Sequence, residues 1–245
     1  MEGWNIFAHS VRMVARNWKE ALKIFLVPGL LAGVVIVVLI GLIEVGDQGD
    51  VGAGSFFLAV IGLLAAFLIM FWSVVSWHRF VLLEEYPTGW LPPFHFDRIL
   101  SYFGHGLLLG LVAGALMLPI ALIITALASA GLGVLTIVVA VPAYIFVAVI
   151  MYRLIPILPA AAIGKPLKFR DSLNATKGAA GSIIALIIVL FVVNFLVQMA
   201  AGLLSALAPL LGAIALLGAT VFLSMVNVSV LTSFYGLYVE GRDID

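Results

Sequence analysis

Four histidines, His9, His78, His95 and His105, share one side of the apolar stretches of this chain, with Glu84, Glu85 and Asp97 close in sequence. Imidazoles and carboxylates together are a donor set for a divalent metal. Their spacing matches no pattern of two histidines one helical turn apart flanking a glutamate. A b-type haem needs two histidines facing each other inside a bundle, and these are expected at its rim. The sequence therefore predicts hydrogen-bonded anchors, with no metal, haem or other cofactor.

A second group is polar but not ionisable. Asn194 and Gln198 stand one turn apart in one apolar run, and Ser224, Asn227, Ser229 and Thr232 interrupt the next. Two readings fit them. Interhelical hydrogen bonds contribute roughly 0.6–2 kcal/mol each. A narrow polar path would instead pass a small neutral solute, with Asn194, Gln198, Asn227 and Thr232 as the intramembrane site. No acid, base or histidine is securely placed at mid-membrane, where proton relays and ion-coupled transporters carry one. Hydrolase elbows, phosphate-binding loops and dinucleotide fingerprints are absent from the sequence, so no enzyme is expected. With no cysteine there is no disulfide, thiolate nucleophile, iron–sulfur cluster or thiolate zinc.

The elements that must position these residues follow from composition. Of 245 residues 64% are hydrophobic and 10% are charged, and the mean hydropathy is +1.28. Soluble domains carry about 25% charged residues, so this chain cannot clothe a water-facing surface. Twelve basic residues balance twelve acidic ones, which leaves no electrostatic footprint for nucleic acid. Six apolar runs, near 24–45, 55–78, 104–127, 132–155, 180–204 and 211–237, reach the roughly 20 residues that a helix needs to cross a bilayer. None alternates as a membrane strand would. The predicted fold is an all-α integral membrane protein, a single six-span domain over residues 1–245. The fifth and sixth runs are divided by Pro209, the best turn signal in an unbroken apolar stretch.

Arg12, Arg16, Lys19 and Lys23 precede the first run. Arg79 and Arg98 lie between the second and third, and Arg153, Lys165, Lys168, Arg170 and Lys177 between the fourth and fifth. Arg242 follows the last. The connections near 46–54, 128–131 and 205–210 hold no Lys or Arg, and the first of them carries Asp47 and Asp50. The positive-inside rule then puts both termini in the cytoplasm. The first 23 residues are too polar for a cleaved signal core, so Met1 is expected to remain.

The six runs read as three hairpins, each preceded by a short cytoplasmic amphipathic helix that begins at a phenylalanine: Phe7–Arg12, Phe96–Ser101 and Phe169–Asn174. Each hairpin leaves through an aromatic end: Trp77-His78-Arg79, Met151-Tyr152-Arg153 and Phe234-Tyr235-Gly236. A pseudo-threefold repeat over 4–85, 94–163 and 165–240 accounts for this. So does a coincidence of basic and aromatic residues at inner helix ends. In the first amphipathic helix Trp4, Phe7, Val11, Val14 and Trp18 are expected on one face, with Arg12, Arg16, Lys19 and Lys23 as a basic stripe beside it. Such a helix lies among lipid headgroups. Trp4, Arg12, Arg16, Trp18, Lys19 and Lys23 are thus the candidate contacts to anionic lipid or to a partner. All five tryptophans fall on this side. Gly106, Gly110 and Gly114, and likewise Gly29 and Gly33, are spaced for close helix approach.

The segment Tyr152-Arg153-Leu154 to Ser172-Leu173-Asn174-Ala175-Thr176-Lys177-Gly178 resembles a run found in bacterial multi-spanning proteins similar to YciC and to the membrane domain of some glycerophosphodiester phosphodiesterases. Arg153, Leu158, Pro159, Ile163, Ser172, Thr176, Lys177 and Gly178 carry the likeness. Leu173 stands where that pattern has Trp, and Ala179-Ala180-Gly181 replaces its aromatic–Arg continuation. The resemblance implies a bacterial inner membrane and transfers no catalytic residue. Two functions are therefore expected. The first is a non-enzymatic accessory subunit, assembly factor or scaffold acting through its cytoplasmic face on a membrane-protein partner or a second copy. The alternative is a transporter or lipid-handling protein for a small neutral or amphipathic solute.

Overall fold

A backbone crossing lipid must satisfy its own hydrogen bonds, and each of the long apolar runs does so as a helix. The structure, a computed structural model, describes residues 2–46 and 53–244. Asp47 and Asp50, expected in the first outer connection, lie outside the described residues. Among those described there are nine helices and no strand: α1 (Glu2–Arg16), α2 (Trp18–Gly46), α3 (Ala53–Leu83), α4 (Phe96–Ser129), α5 (Gly133–Leu154), α6 (Ile157–Ala162), α7 (Phe169–Ala175), α8 (Ala180–Leu207) and α9 (Pro209–Tyr238). Six stretches are long and apolar enough to span a membrane: α2, α3, α4, α5 with α6, α8 and α9. Pro209 opens α9 after an extended Ala208, which is the break that the proline signalled.

One element departs from expectation. No separate amphipathic helix precedes the third span, because α4 runs unbroken from Phe96. Gly104 and Gly106 are the weak points where a break before the span was expected. A glycine costs a helix about 1 kcal/mol, too little to break one whose backbone groups have no other partner. A short helix that was not expected, α6, follows α5 after a turn at Ile155-Pro156.

Consecutive spans pack along each other, α2 on α3, α4 on α5 and α8 on α9. The pairs meet through α3 with α4 and α9, and through α5 with α8. Burial is concentrated at one end. The largest core cluster joins Ile6 and Val14 of α1, Ile24 of α2, Trp77 of α3, Ile183 and Leu186 of α8, and Val226, Val230 and Phe234 of α9. At the opposite ends Leu122, Ile137, Leu207 and Leu217 are exposed, as lipid-facing surface is. All twelve Lys and Arg belong to the helix ends and connections gathered around the core cluster, and this is called the basic end. In lipid, helices hold together by close packing and not by expulsion of water. Small residues serve that purpose here: Ala160, Ala161 and Ala162 of α6 are fully buried where α6 meets α3, α4 and α9.

Candidate functional site

The basic end is built outward from α1. Its buried face is Gly3, Ile6, Phe7, Ser10 and Val14, spaced as one stripe of a helix and packed on α8 and α9. Gly3 makes this approach feasible: a Cβ there would meet the carbonyl oxygen of Ser182 at 2.5 Å and the amide of Leu186 at 2.6 Å. This corrects the heptad reading of the helix. Phe7 and Val14 face protein and not headgroups, while Trp4 and Trp18 stay 56% and 55% exposed. The spacing 4-7-11-14-18 runs past the end of α1, for Trp18 already belongs to α2.

Among the other surface candidates, Arg12, Arg16 and Lys19 are exposed and Lys23 is half-buried. Arg12 and Arg16 form no ion pair with another described residue. The Lys19 ammonium lies 5.8 Å from the ring centroid of Trp18, within cation–π range. Glu2 ties the start of α1 down by accepting hydrogen bonds from Ser182 Oγ (2.6 Å) and Tyr238 OH (3.0 Å). Those two bonds lower its carboxyl below the ordinary range.

Behind α1 sits a buried polar knot. Ser10 Oγ and Ser233 Oγ are 3.0 Å apart, joining α1 to α9. His78 Nδ1 lies 2.8 Å from Thr232 Oγ1, joining α3 to α9. His78 is fully buried, so it is an interior group and not the rim anchor that its sequence position suggested. Its Nε2 and the neighbouring Trp77 Nε1 have no hydrogen-bond partner. A crevice of about 190 Å³ opens beside the knot, lined by His9, Thr232, Ser233, Arg242 and Asp243 among others.

The four intramembrane polar candidates do not converge. Asn194 donates to the Leu190 carbonyl of its own helix at 2.8 Å. Gln198 and Asn227 are exposed, and Thr232 alone is buried, against His78. The histidines and acids are likewise dispersed. Among the described residues no group of three metal-ligating side chains comes together. Instead, Glu85 is a latch. Its Oε2 accepts from Arg79 Nε (2.9 Å) and Nη2 (2.6 Å), and its Oε1 from His95 Nε2 (2.6 Å). Burial pushes this carboxyl up, but the hydrogen bonds and charges of Arg79 and His95 outweigh it and leave it below the ordinary range. The latch, with a bond from Trp72 Nε1 to the Pro93 carbonyl at 3.1 Å, holds down a connection that exposes Tyr86, Trp90, Leu91 and Phe94.

Residues of the Tyr152–Gly178 run also meet. Arg153 Nη2 donates to the Leu173 carbonyl at 2.6 Å and Ser172 Oγ to the Arg153 carbonyl at 2.7 Å. Thr176 Oγ1 lies 3.4 Å from Arg153 Nε. This clasp docks α7 onto the end of α5, a structural task that spacing alone did not reveal.

Two further hollows flank α4. An apolar groove of about 590 Å³ runs between Phe67 and Phe71 of α3 and Phe103, Gly106 and Gly110 of α4. The stripe of Gly106, Gly110 and Gly114 touches no other element of the chain, as a Cβ at each would meet nothing within 4 Å. On another side of α4, His105 and Lys168 border a cavity of about 420 Å³. No family model matches this chain, and no curated protein or solved structure matches it either.

Proposed function

We propose that this chain is a non-enzymatic multi-pass protein of a bacterial inner membrane that works as an accessory subunit, assembly factor or scaffold. Its basic end, with both termini, faces the cytoplasm and presents α1 and the start of α2 to a membrane-protein partner. The observation that carries this is the asymmetry of the bundle. The buried contacts are gathered at the basic end, where exposed Trp4, Arg12, Arg16, Trp18 and Lys19 surround a well-anchored helix. Asn194 bonds its own helix backbone and Gln198 and Asn227 face outward, which favours the partner reading over transport. Kinship with the YciC-like proteins is part of the proposal and rests on the likeness of the Tyr152–Gly178 run.

A threefold repeat belongs to the same proposal. The third residue after the leading phenylalanine is Ser10, Ile99 or Ser172, at 0%, 1% and 0% exposure. Each lead-in segment packs on the preceding pair of spans in cyclic order, α1 on α8 and α9, the start of α4 on α3, and α7 on α5.

Photo-crosslinking residues placed singly at Arg12, Arg16 and Asn227 in living cells test the partner reading. Discrete adducts from the first two positions and none from Asn227 are expected, and Arg12→Glu with Arg16→Glu should remove an adduct formed from Trp4. Absence of adducts at the basic end, together with loss of physiological activity in Asn227→Leu at matched expression, would overturn it in favour of transport.

A further inference from the structure

The cavity between α4 and the segment running from α6 into α7 joins two kinds of lining. Leu108, Ile157, Leu167 and Phe169 supply apolar walls, and His105 and Lys168 supply nitrogen. No carboxylate lines it. A second hollow of about 220 Å³ shares His105 and Leu108 and adds Ser101 and Gly104, so His105 borders both recesses.

Depth along α4 identifies the layer. The helix has 34 residues, about 51 Å at 1.5 Å per residue, against a hydrocarbon core of about 30 Å. Counting about 20 residues back from its outer end at Ser129 reaches Leu109. His105 therefore lies about 6 Å beyond the hydrocarbon, one turn of helix, among the glycerol and phosphate groups of the leaflet.

The chemistry of the two nitrogens differs. His105 Nδ1 lies 2.8 Å from the Ser101 carbonyl oxygen. A carbonyl only accepts, so Nδ1 donates to it, and Nε2 is the ring nitrogen left for a ligand. Lys168 brings three donors and a positive charge, with exposed Lys165 and Arg170 nearby in sequence. A phosphate suits the lysine and a hydroxyl, which both donates and accepts, suits the imidazole. Lys168, the one charged residue of the lining, disfavours an ammonium, although Asp171 offsets Arg170 farther along the segment. The volume is that of a small-molecule site. A spanning helix, about 10 Å wide, would be gripped over a single turn only.

We infer that this cavity binds an anionic glycerophospholipid whose headgroup carries hydroxyl groups, with the phosphate on Lys168, a headgroup hydroxyl bonded to His105 Nε2, and the upper acyl carbons against Leu108, Ile157 and Phe169. The inference requires a bilayer with His105 at its boundary and is independent of the partner reading.

The full chain, purified in mild detergent and titrated with phosphatidylglycerol, phosphatidylethanolamine or inorganic phosphate, tests it by native mass spectrometry. One phosphatidylglycerol per chain should be retained above background. Lys168→Ala and the cavity-filling Leu108→Trp should each reduce retention about tenfold, the scale of one charge-assisted hydrogen bond. Lys177→Ala, at an exposed lysine that lines neither hollow, should leave it unchanged. Unchanged retention in both Lys168→Ala and Leu108→Trp would overturn the site. So would equal retention of phosphatidylethanolamine, or displacement of the lipid by an equal concentration of inorganic phosphate. Size-exclusion profiles matching wild type keep a folding defect from being mistaken for lost binding.

Discussion

His78 and Thr232 lie 154 residues apart in sequence, yet their side chains meet at 2.8 Å inside the bundle. The bond ties α3 to α9 at the basic end. With the Ser10–Ser233 contact it makes α9 the strut on which both α1 and α3 are registered.

Thr232→Val keeps the shape of the side chain and removes the hydroxyl, leaving a buried imidazole with neither nitrogen paired. Stability in detergent should fall by about 1–2 kcal/mol, read as a lowered midpoint of thermal unfolding. Asn227→Leu, at an exposed position of the same helix, should shift it by less than about 0.5 kcal/mol. Equal shifts would show that the knot does not hold the helices.

Gly3→Leu drives a side chain into the α8 backbone at Ser182 and Leu186. Overpacking of this kind costs about 1–3 kcal/mol, and here the cheapest relief is for α1 to lift off. Protease cleavage between Arg12 and Lys19 should accelerate, while Gly29→Leu, which faces open space, should behave as wild type. If Gly3→Leu resists cleavage like wild type, α1 is not docked through that residue.

Glu85 predicts an acid-sensitive connection. Its carboxyl titrates below its ordinary value of 4.5 in the folded chain, so its contribution to stability is complete above pH 4.5 and lost as pH falls through the lowered value. Tryptophan fluorescence, reporting on Trp72 and Trp90, should show a transition as pH falls below 4.5. Glu85→Gln should already give the altered spectrum at neutral pH and lose the transition. A transition of unchanged size in Glu85→Gln would assign it to another group.

Reporter fusions after residues 50, 130 and 208 should report the periplasm, and those after 90, 168 and 245 the cytoplasm, since the translocation machinery reads the distribution of Lys and Arg. A cytoplasmic signal at 130 would break the pairing of α4 with α5.

Helix class, the number of spans and the break at Pro209 were legible because they depend on properties of single segments. A run of about 20 apolar residues has one stable solution in lipid, and a proline opening a helix acts on its immediate neighbours. The depth of His78 was not legible. It stands between Trp77 and Arg79 near the end of an apolar run, and only the arrival of α9 and α4 beside α3 encloses it. The same holds for α1, whose amphipathic pattern requires a partner surface without saying whether lipid or protein supplies it. Tertiary structure decided for protein, because Gly3 allows the backbones of α1 and α8 to approach where any larger residue would hold them apart. Arg153 and Ser172 were noticed as a sequence pattern, but their clasp exists only once α7 folds back on α5. Segment-scale chemistry thus set the solvent and the spans of this chain. The choice of which polar groups are buried, and against what, was made by contacts between residues far apart in sequence, which no local window contains.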